Sequence, residues 1–320
     1  MSEKESKFTK CDLSEVKIYS IANRKSKIDE TQLAKPYKAG GHFTDFLQKL
    51  PHILKAADFY ELVDHILTAR KKQKPVIVLM GAHVIKVGLS PIVIDLMEQG
   101  IITTIAMNGA GAIHDTELAY WGKTSEDVAQ GLEDGSFGMA RETGDVLNNT
   151  VSAAQSTEMG FGEALGKRIE EDKPPHKSLS IFAAGYRLAL PVTVHVAIGT
   201  DIVHQQPSVD GAAIGELTMR DFQVFTEQVK MLKNGGVVLH IGSNVILPEV
   251  FLKALTVARN VAPPVNNFFT ANFDMYTHYR PRMNVVERPT QTGGKGYNFI
   301  GHHEIMIPLL AAAVKERISE

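Results

Sequence analysis

The sequence contains one cysteine, Cys11, so no intrachain disulfide framework holds this chain together and a reducing, cytoplasmic setting is the expectation. An excess of charge of either sign is also missing. The 34 Lys and Arg stand against 36 Asp and Glu, a formal net charge of −2. That balance provides no bulk field to draw in nucleic acid or a membrane surface, so neither is expected as a partner. No run approaches the roughly 18 consecutive apolar residues that a membrane-spanning helix requires. The opening stretch, MSEKESKFTKCDLSEVK, lacks the apolar centre of a secretory signal. What is present is a hydrophobic content of 44% over 320 residues, enough for a substantial core.

The most informative stretch is PVIVLMGAHVIKVGLSPIVIDLMEQGIITTIAMNGAGAIHD, residues 75–115. Its first apolar run, Val76 to Met80, has no polar alternation, which predicts a parallel strand covered on both faces and ended by Gly81. Ser90-Pro91 is a helix start and Gly100 a helix stop. Ile101 to Met107 predicts a second strand, broken by Asn108, Gly109, Ala110 and Gly111. A strand, helix, strand unit of this length is right-handed and parallel. Its two loops, 81–88 and 108–115, are therefore expected at one carboxyl edge, where open α/β sheets bind ligands.

Taken in order, residues 1–42 read as an N-terminal arm and 43–320 as a single α/β domain. Helical spacing covers 43–72. Helix is expected over 116–132, a covering loop over 133–146, and helix again over 147–171. The prolines of DKPPHK, 172–177, break the chain without dividing the domain. Helix 178–188, strand 192–198, helix 218–233, strand 237–241, a helix from Pro248 to about Arg259 and strand 267–273 repeat the alternation. Five strands ending in small or polar loops predict a doubly wound, mainly parallel, Rossmann-like sheet with helices on both faces. Residues 274–302 show no periodicity, and His303 to Arg317 reads as a closing helix.

The expected edge gathers His83, Lys86, His114, Asp115, His195, Thr200, Asp201, His204, Asp210, His240 and Glu249. Imidazoles and carboxylates together suit general acid and base work near neutral pH. They also suit a divalent metal, although neither His114-Asp115 nor His302-His303-Glu304 has helical zinc spacing. His195 and His240, inside apolar strands, read equally as core histidines. Asp201 and Asp210 suit caps for turns and for the helix that follows.

The 75–115 segment resembles the nucleotide-binding unit of the deoxyhypusine synthase family. The likeness continues through EALGKRIEED, ALPVTVHVAIGTD, GGVVLHIGSNVILPE and FFTANFD, covering roughly residues 50–275. It implies a Rossmann-like NAD-binding fold, a homotetramer with sites between subunits, and transferase chemistry through an imine on a lysine. It places NAD against Gly81, Ala82 and His83, against Asn108, Gly109, Ala110 and Gly111, and against Thr270 and Ala271. The chain departs from the family at the catalytic lysine: the matched position falls on Leu247, which forms no imine. The resulting expectation is a NAD-dependent transferase or oxidoreductase acting on a small polar, amine-bearing substrate. His83, His114 and Asp115 would be nearest the chemistry, and Asp201, His204 and Asp210 on the substrate side. The alternatives are a nucleotide-binding scaffold that has lost catalysis and a metal-dependent hydrolase on the same fold.

Overall fold

The computed structural model describes residues 6–262 and 264–318. The arm comes first. Its short 3-10 turns, Leu13–Glu15, Ile21–Asn23 and Glu30–Gln32, bury no side chain. Two backbone bonds, Lys35 N–H to Lys49 O at 3.0 Å and His52 N–H to Gln32 O at 3.0 Å, tie its end to the turn after helix α1 (Phe43–Leu47).

From there strands and helices alternate. Helix α2 (Leu54–Lys71) leads to β1 (Val76–Met80), then to the short α3 (His83–Lys86) and α4 (Ser90–Glu98). Strand β2 (Thr104–Asn108) runs into four helices, α5 (Gly109–Trp121), α6 (Val128–Asp134), α7 (Arg141–Ala154) and α8 (Phe161–Asp172). Helix α9 (Ile181–Leu188) precedes β3 (Val192–His195), and α10 (Gly211–Lys230) precedes β4 (Val237–Ile241). Helix α11 (Ile246–Val261), β5 (Phe268–Asp274), α12 (Tyr279–Pro281), a π-helical turn (Arg282–Glu287), β6 (Gly294–Ile300) and α13 (His303–Ile318) complete the chain.

The six strands form one sheet in the order β3-β2-β1-β4-β5-β6, with every pairing parallel. Because side chains alternate along a strand, Val76, Val78 and Met80 enter one core layer and Ile77 and Leu79 the other. Helices cover both faces, and the second layer packs chiefly on Phe225, Leu247, Phe251 and Leu255 of α10 and α11. The chain builds outward from β1 to β3, then crosses back to β4. The order therefore reverses between β1 and β4, and both strands deliver their carboxyl ends to the same edge.

The outer edge of β3 is closed by side chains instead of another strand. Asp221 of α10 accepts from Val194 N–H at 2.6 Å and from Gly162 N–H at 2.9 Å. Thr218 accepts from Val196 N–H at 3.0 Å and donates to Val194 O at 2.8 Å. Two side chains from one helix thus take hydrogen bonds that a neighbouring strand would otherwise make.

The doubly wound class is as expected, with corrections in its parts. Among the described residues there are six strands instead of five: Gly294-Lys295-Gly296 dilutes the β signal of β6, where only Tyr297 and Phe299 are buried. The 133–146 stretch is no loop, since α6 ends and α7 begins inside it. The 108–115 segment is no loop either, because Asn108 accepts from Gly111 N–H at 3.1 Å and starts α5 directly at the strand end.

Candidate functional site

Two groups of residues share the carboxyl edge. The first lies over β1, β4 and β5. Gly81 follows β1 and Gly242 follows β4, and a Cβ on Gly81 would lie 2.2 Å from the Gly242 carbonyl oxygen. Gly242 has φ +65°, and its own Cβ would lie 2.4 Å from His303 Cε1. Only bare backbone fits at this crossing.

His303 donates its Nε2–H to Phe273 O at 3.2 Å, which leaves Nδ1 as an acceptor, buried and unpartnered. Asp274, the last residue of β5, accepts from Met275 N–H through Oδ1, while its Oδ2 is buried without a partner. Burial holds the His303 imidazole below its ordinary range, against the opposing pull of Phe273 O and Asp274. His83 stands across from it, with ring centroids 5.6 Å apart. His240 is buried beneath, bonded to Asn272 Oδ1 at 2.6 Å and Ser243 O at 2.7 Å. Here the 16-residue helix α11 begins on Val245, with Ser243 Oγ accepting from Leu247 N–H at 3.3 Å and Pro248 carrying no N–H. A long helix thus turns an N-terminus toward the point where strand order reverses.

The second group lines a cavity of about 590 Å³ above β2 and β3, between α3, α5, α6, α7 and the 200–202 turn. Its walls include Ile113, Trp121 and Phe137, with Lys86, His114, Glu117 and Asp201 as polar groups. His114 Nδ1 lies 2.5 Å from Thr124 Oγ1, which itself donates to Glu117. Glu117 also accepts from Thr143 at 3.1 Å. Burial works to raise the Glu117 carboxyl, but His114, Thr124 and Thr143 outweigh it and hold the group below the usual range. Asp201 sits against bare Gly109, where a Cβ would lie 2.0 Å from Oδ2. Burial pushes Asp201 up to about 6, opposed by the N–H of Ala110.

Several expected site residues lie elsewhere. Asp115 is fully buried behind α5, accepting from Ser180 Oγ at 2.5 Å and Ile181 N–H at 2.7 Å; it starts α9 and does not face the edge. It belongs to a helix, and its position one residue after His114 turns it inward. Thr270 and Ala271 are buried in the middle of β5, below the strand tip at Asp274. Gly109 and Gly111 make room for Asp201 and the Met107 side chain, respectively, so neither presents open main chain. Asp210 caps α10 through Ala212 and Ala213 N–H. His204 lies beside Asp201 at 3.9 Å, and its Nδ1 accepts from Gly199 N–H. His195 is a core histidine, bonded to Thr193 at 3.0 Å and pushed down to about 3 by burial. Leu247 is buried in the core, and Lys253 pairs with Glu249 on an exposed helix face.

Glu117 and Asp274 join these groups with no motif of their own in the sequence, and His303 stands out there only within His302-His303-Glu304. Glu117 is two residues beyond Asp115 and faces the cavity. Asp274 ends FFTANFD, the last motif of the resemblance. Among the described residues, no three His, Cys, Asp or Glu side chains gather as a metal site. No helix is long and apolar enough to cross a membrane, again among the described residues.

No family model matches this chain, and no curated protein does. Solved structures do. AgrE, in a ternary complex with ornithine and NAD+, aligns at 11% identity and TM-score 0.54 over 82% of this chain and 33% of its own. ArgZ, an arginine dihydrolase from the ornithine-ammonia cycle in cyanobacteria, aligns at 14% identity and TM-score 0.51 over 82% of this chain and 31% of its own. The chain thus spans about a third of the length of each. A protein assigned as a deoxyhypusine synthase from Entamoeba histolytica aligns at 10% identity and TM-score 0.51, covering 87% of this chain and 96% of its own. At these identities the likeness shows the fold. The class defined is a doubly wound α/β sheet of Rossmann type with a polar cavity at its carboxyl edge.

Proposed function

We propose that this chain is a NAD-binding enzyme that acts on a small amine-bearing substrate at the carboxyl edge. The observation that carries the reading is the reversal of strand order between β1 and β4, with the positive end of α11 and two buried, unpartnered acceptors beside it. The positive end of the α11 dipole suits a pyrophosphate. Asp274 Oδ2 suits a ribose hydroxyl, the partner that this buried oxygen lacks. Ala82 and His83 form the opposite wall, while Gly81 is closed off by the Gly242 carbonyl. NAD would supply hydride acceptance. The chain's own part is to orient the substrate and remove the accompanying proton, for which neutral His303 Nδ1, with His83 facing it, is the acceptor.

The amine side falls to the cavity, where Asp201 and Glu117 supply negative charge between apolar walls. This replaces the expected pairing of Asp201 with Asp210. The likeness to AgrE, a protein solved with ornithine and NAD+, supports both halves. The chain has no lysine at position 247, so the reaction proposed is oxidation without an imine on the protein.

Copies of the chain are proposed to meet over this edge. Val245, Tyr276, Tyr279, Ile300 and Ile305 are all exposed at the carboxyl ends of β4, β5 and β6, and a second copy would shield both them and the site.

The test is thermal or denaturant unfolding with added NAD. At a concentration 100 times its Kd, NAD stabilises a protein whose native state alone binds it by about 2.7 kcal/mol. Asp274→Asn is expected to weaken that binding while Asp201→Asn leaves it in place. Absence of any stabilisation by NAD overturns the reading.

A further inference from the structure

A second cavity, of about 350 Å³, lies behind the amino end of β3, at the opposite end of that strand from the candidate site. Phe182, Leu190 and Val224 supply apolar wall, Tyr186 stands half-exposed, and Asp221 and Glu163 are the acids among its lining residues. Asp221 is only 2% exposed. Its Oδ2 accepts the two backbone N–H bonds that strap β3 to the start of α8. Its Oδ1 has no hydrogen-bond partner among the described residues and lies against Gly160, where a Cβ would be 1.9 Å from it. Gly160 is itself part of the cavity lining.

Glu163, exposed in the first turn of α8, forms no ion pair among the described residues. Two carboxyl groups thus border one small cavity without a counter-cation. Burial pushes Asp221 up to about 7, and Glu163 adds to that rise, while the N–H groups of Val194 and Gly162 oppose it. A carboxyl so placed is completed by a proton or by a cation. The cavity walls are apolar and include an aromatic ring, features that suit an organic cation better than a hydrated metal ion.

We propose that this cavity is a binding site for a small alkylammonium compound, its charged head against Asp221 Oδ1 and its aliphatic body along Phe182, Leu190 and Val224. The site is separate from the edge proposed for NAD and stands whether or not that reading holds.

The probe is butylammonium chloride, titrated calorimetrically into the full chain and into Asp201→Asn, which removes a carboxylate of the larger cavity. Saturable binding is expected in both, weakened about tenfold or more by Asp221→Asn, equivalent to about 1.4 kcal/mol. Val224→Trp, which fills the cavity and leaves the Asp221 strap intact, should abolish it and decides the matter if Asp221→Asn fails to fold. Sodium butyrate, of the same shape and opposite charge, should not bind. Equal binding of butyrate, binding unchanged by Val224→Trp, or no butylammonium binding to the parent chain overturns the proposal.

Discussion

Asp201 shows what one residue's surroundings decide. Its carboxyl is raised to about 6, so a cation entering the larger cavity must find it ionised. An ammonium ligand favours the charged form, and affinity should therefore rise with pH. Between pH 5 and pH 7 the ionised fraction grows about tenfold for a group titrating near 6. Titration of 1,4-diaminobutane over that range should show the gain, and Asp201→Asn should flatten it. A pH-independent affinity in the parent chain would remove Asp201 from the substrate side. His195 gives a stability counterpart. Its native pKa lies near 3, below the unfolded value of about 6.5. The unfolded chain therefore takes up a proton as pH falls below 6.5 while the native chain refuses it, and stability drops. His195→Gln should lose about 2 kcal/mol less than the parent chain between pH 6.5 and pH 5, measured by urea unfolding.

At the scale of elements, the crossing of the β1 and β4 ends depends on glycine. Gly81→Ala would drive a methyl into the Gly242 carbonyl, and a cost of about 1–3 kcal/mol is expected in urea unfolding. Gly215→Ala in α10 meets nothing within 4 Å and should stabilise by about 0.4–1 kcal/mol, giving the opposite sign for the same chemical change. The elements themselves were legible where hydrophobic pattern and length agreed. The unbroken apolar runs of β1 and β4 announced buried parallel strands, and His303 marked the start of α13. β6 was hidden because glycines stand where β-branched residues would signal a strand, and its burial depends on helices distant in sequence. The site was read less well for the same reason. His83 and Asp201 follow strand ends and could be placed by grammar alone. Glu117 stands three residues after His114 on one face of α5 and Asp115 on another, a helical spacing that stays hidden while 108–115 reads as a loop. Asp274 and His303 are 29 residues apart in number, joined only because β5 and β6 are neighbours.

On the scale of the whole molecule, the apolar rim at the carboxyl edge predicts association. Sedimentation should find a species larger than 35.1 kDa, and Tyr279→Glu with Ile305→Glu should reduce it toward one chain. A parent chain that sediments as a monomer at tens of micromolar would refute that assembly. The arm, whose Phe8, Ile18 and Tyr19 are strongly exposed, adds apolar surface outside the rim. Beside these open surfaces, the flank formed by β3 is shut. With Asp221 and Thr218 already seated along its hydrogen-bonding groups, a visiting peptide would have to evict two side chains anchored on a 20-residue helix before it could add to the sheet. Growth into fibrils from that side is thereby guarded against, and the chain can carry sticky surface elsewhere without zippering into a continuous ribbon through β3.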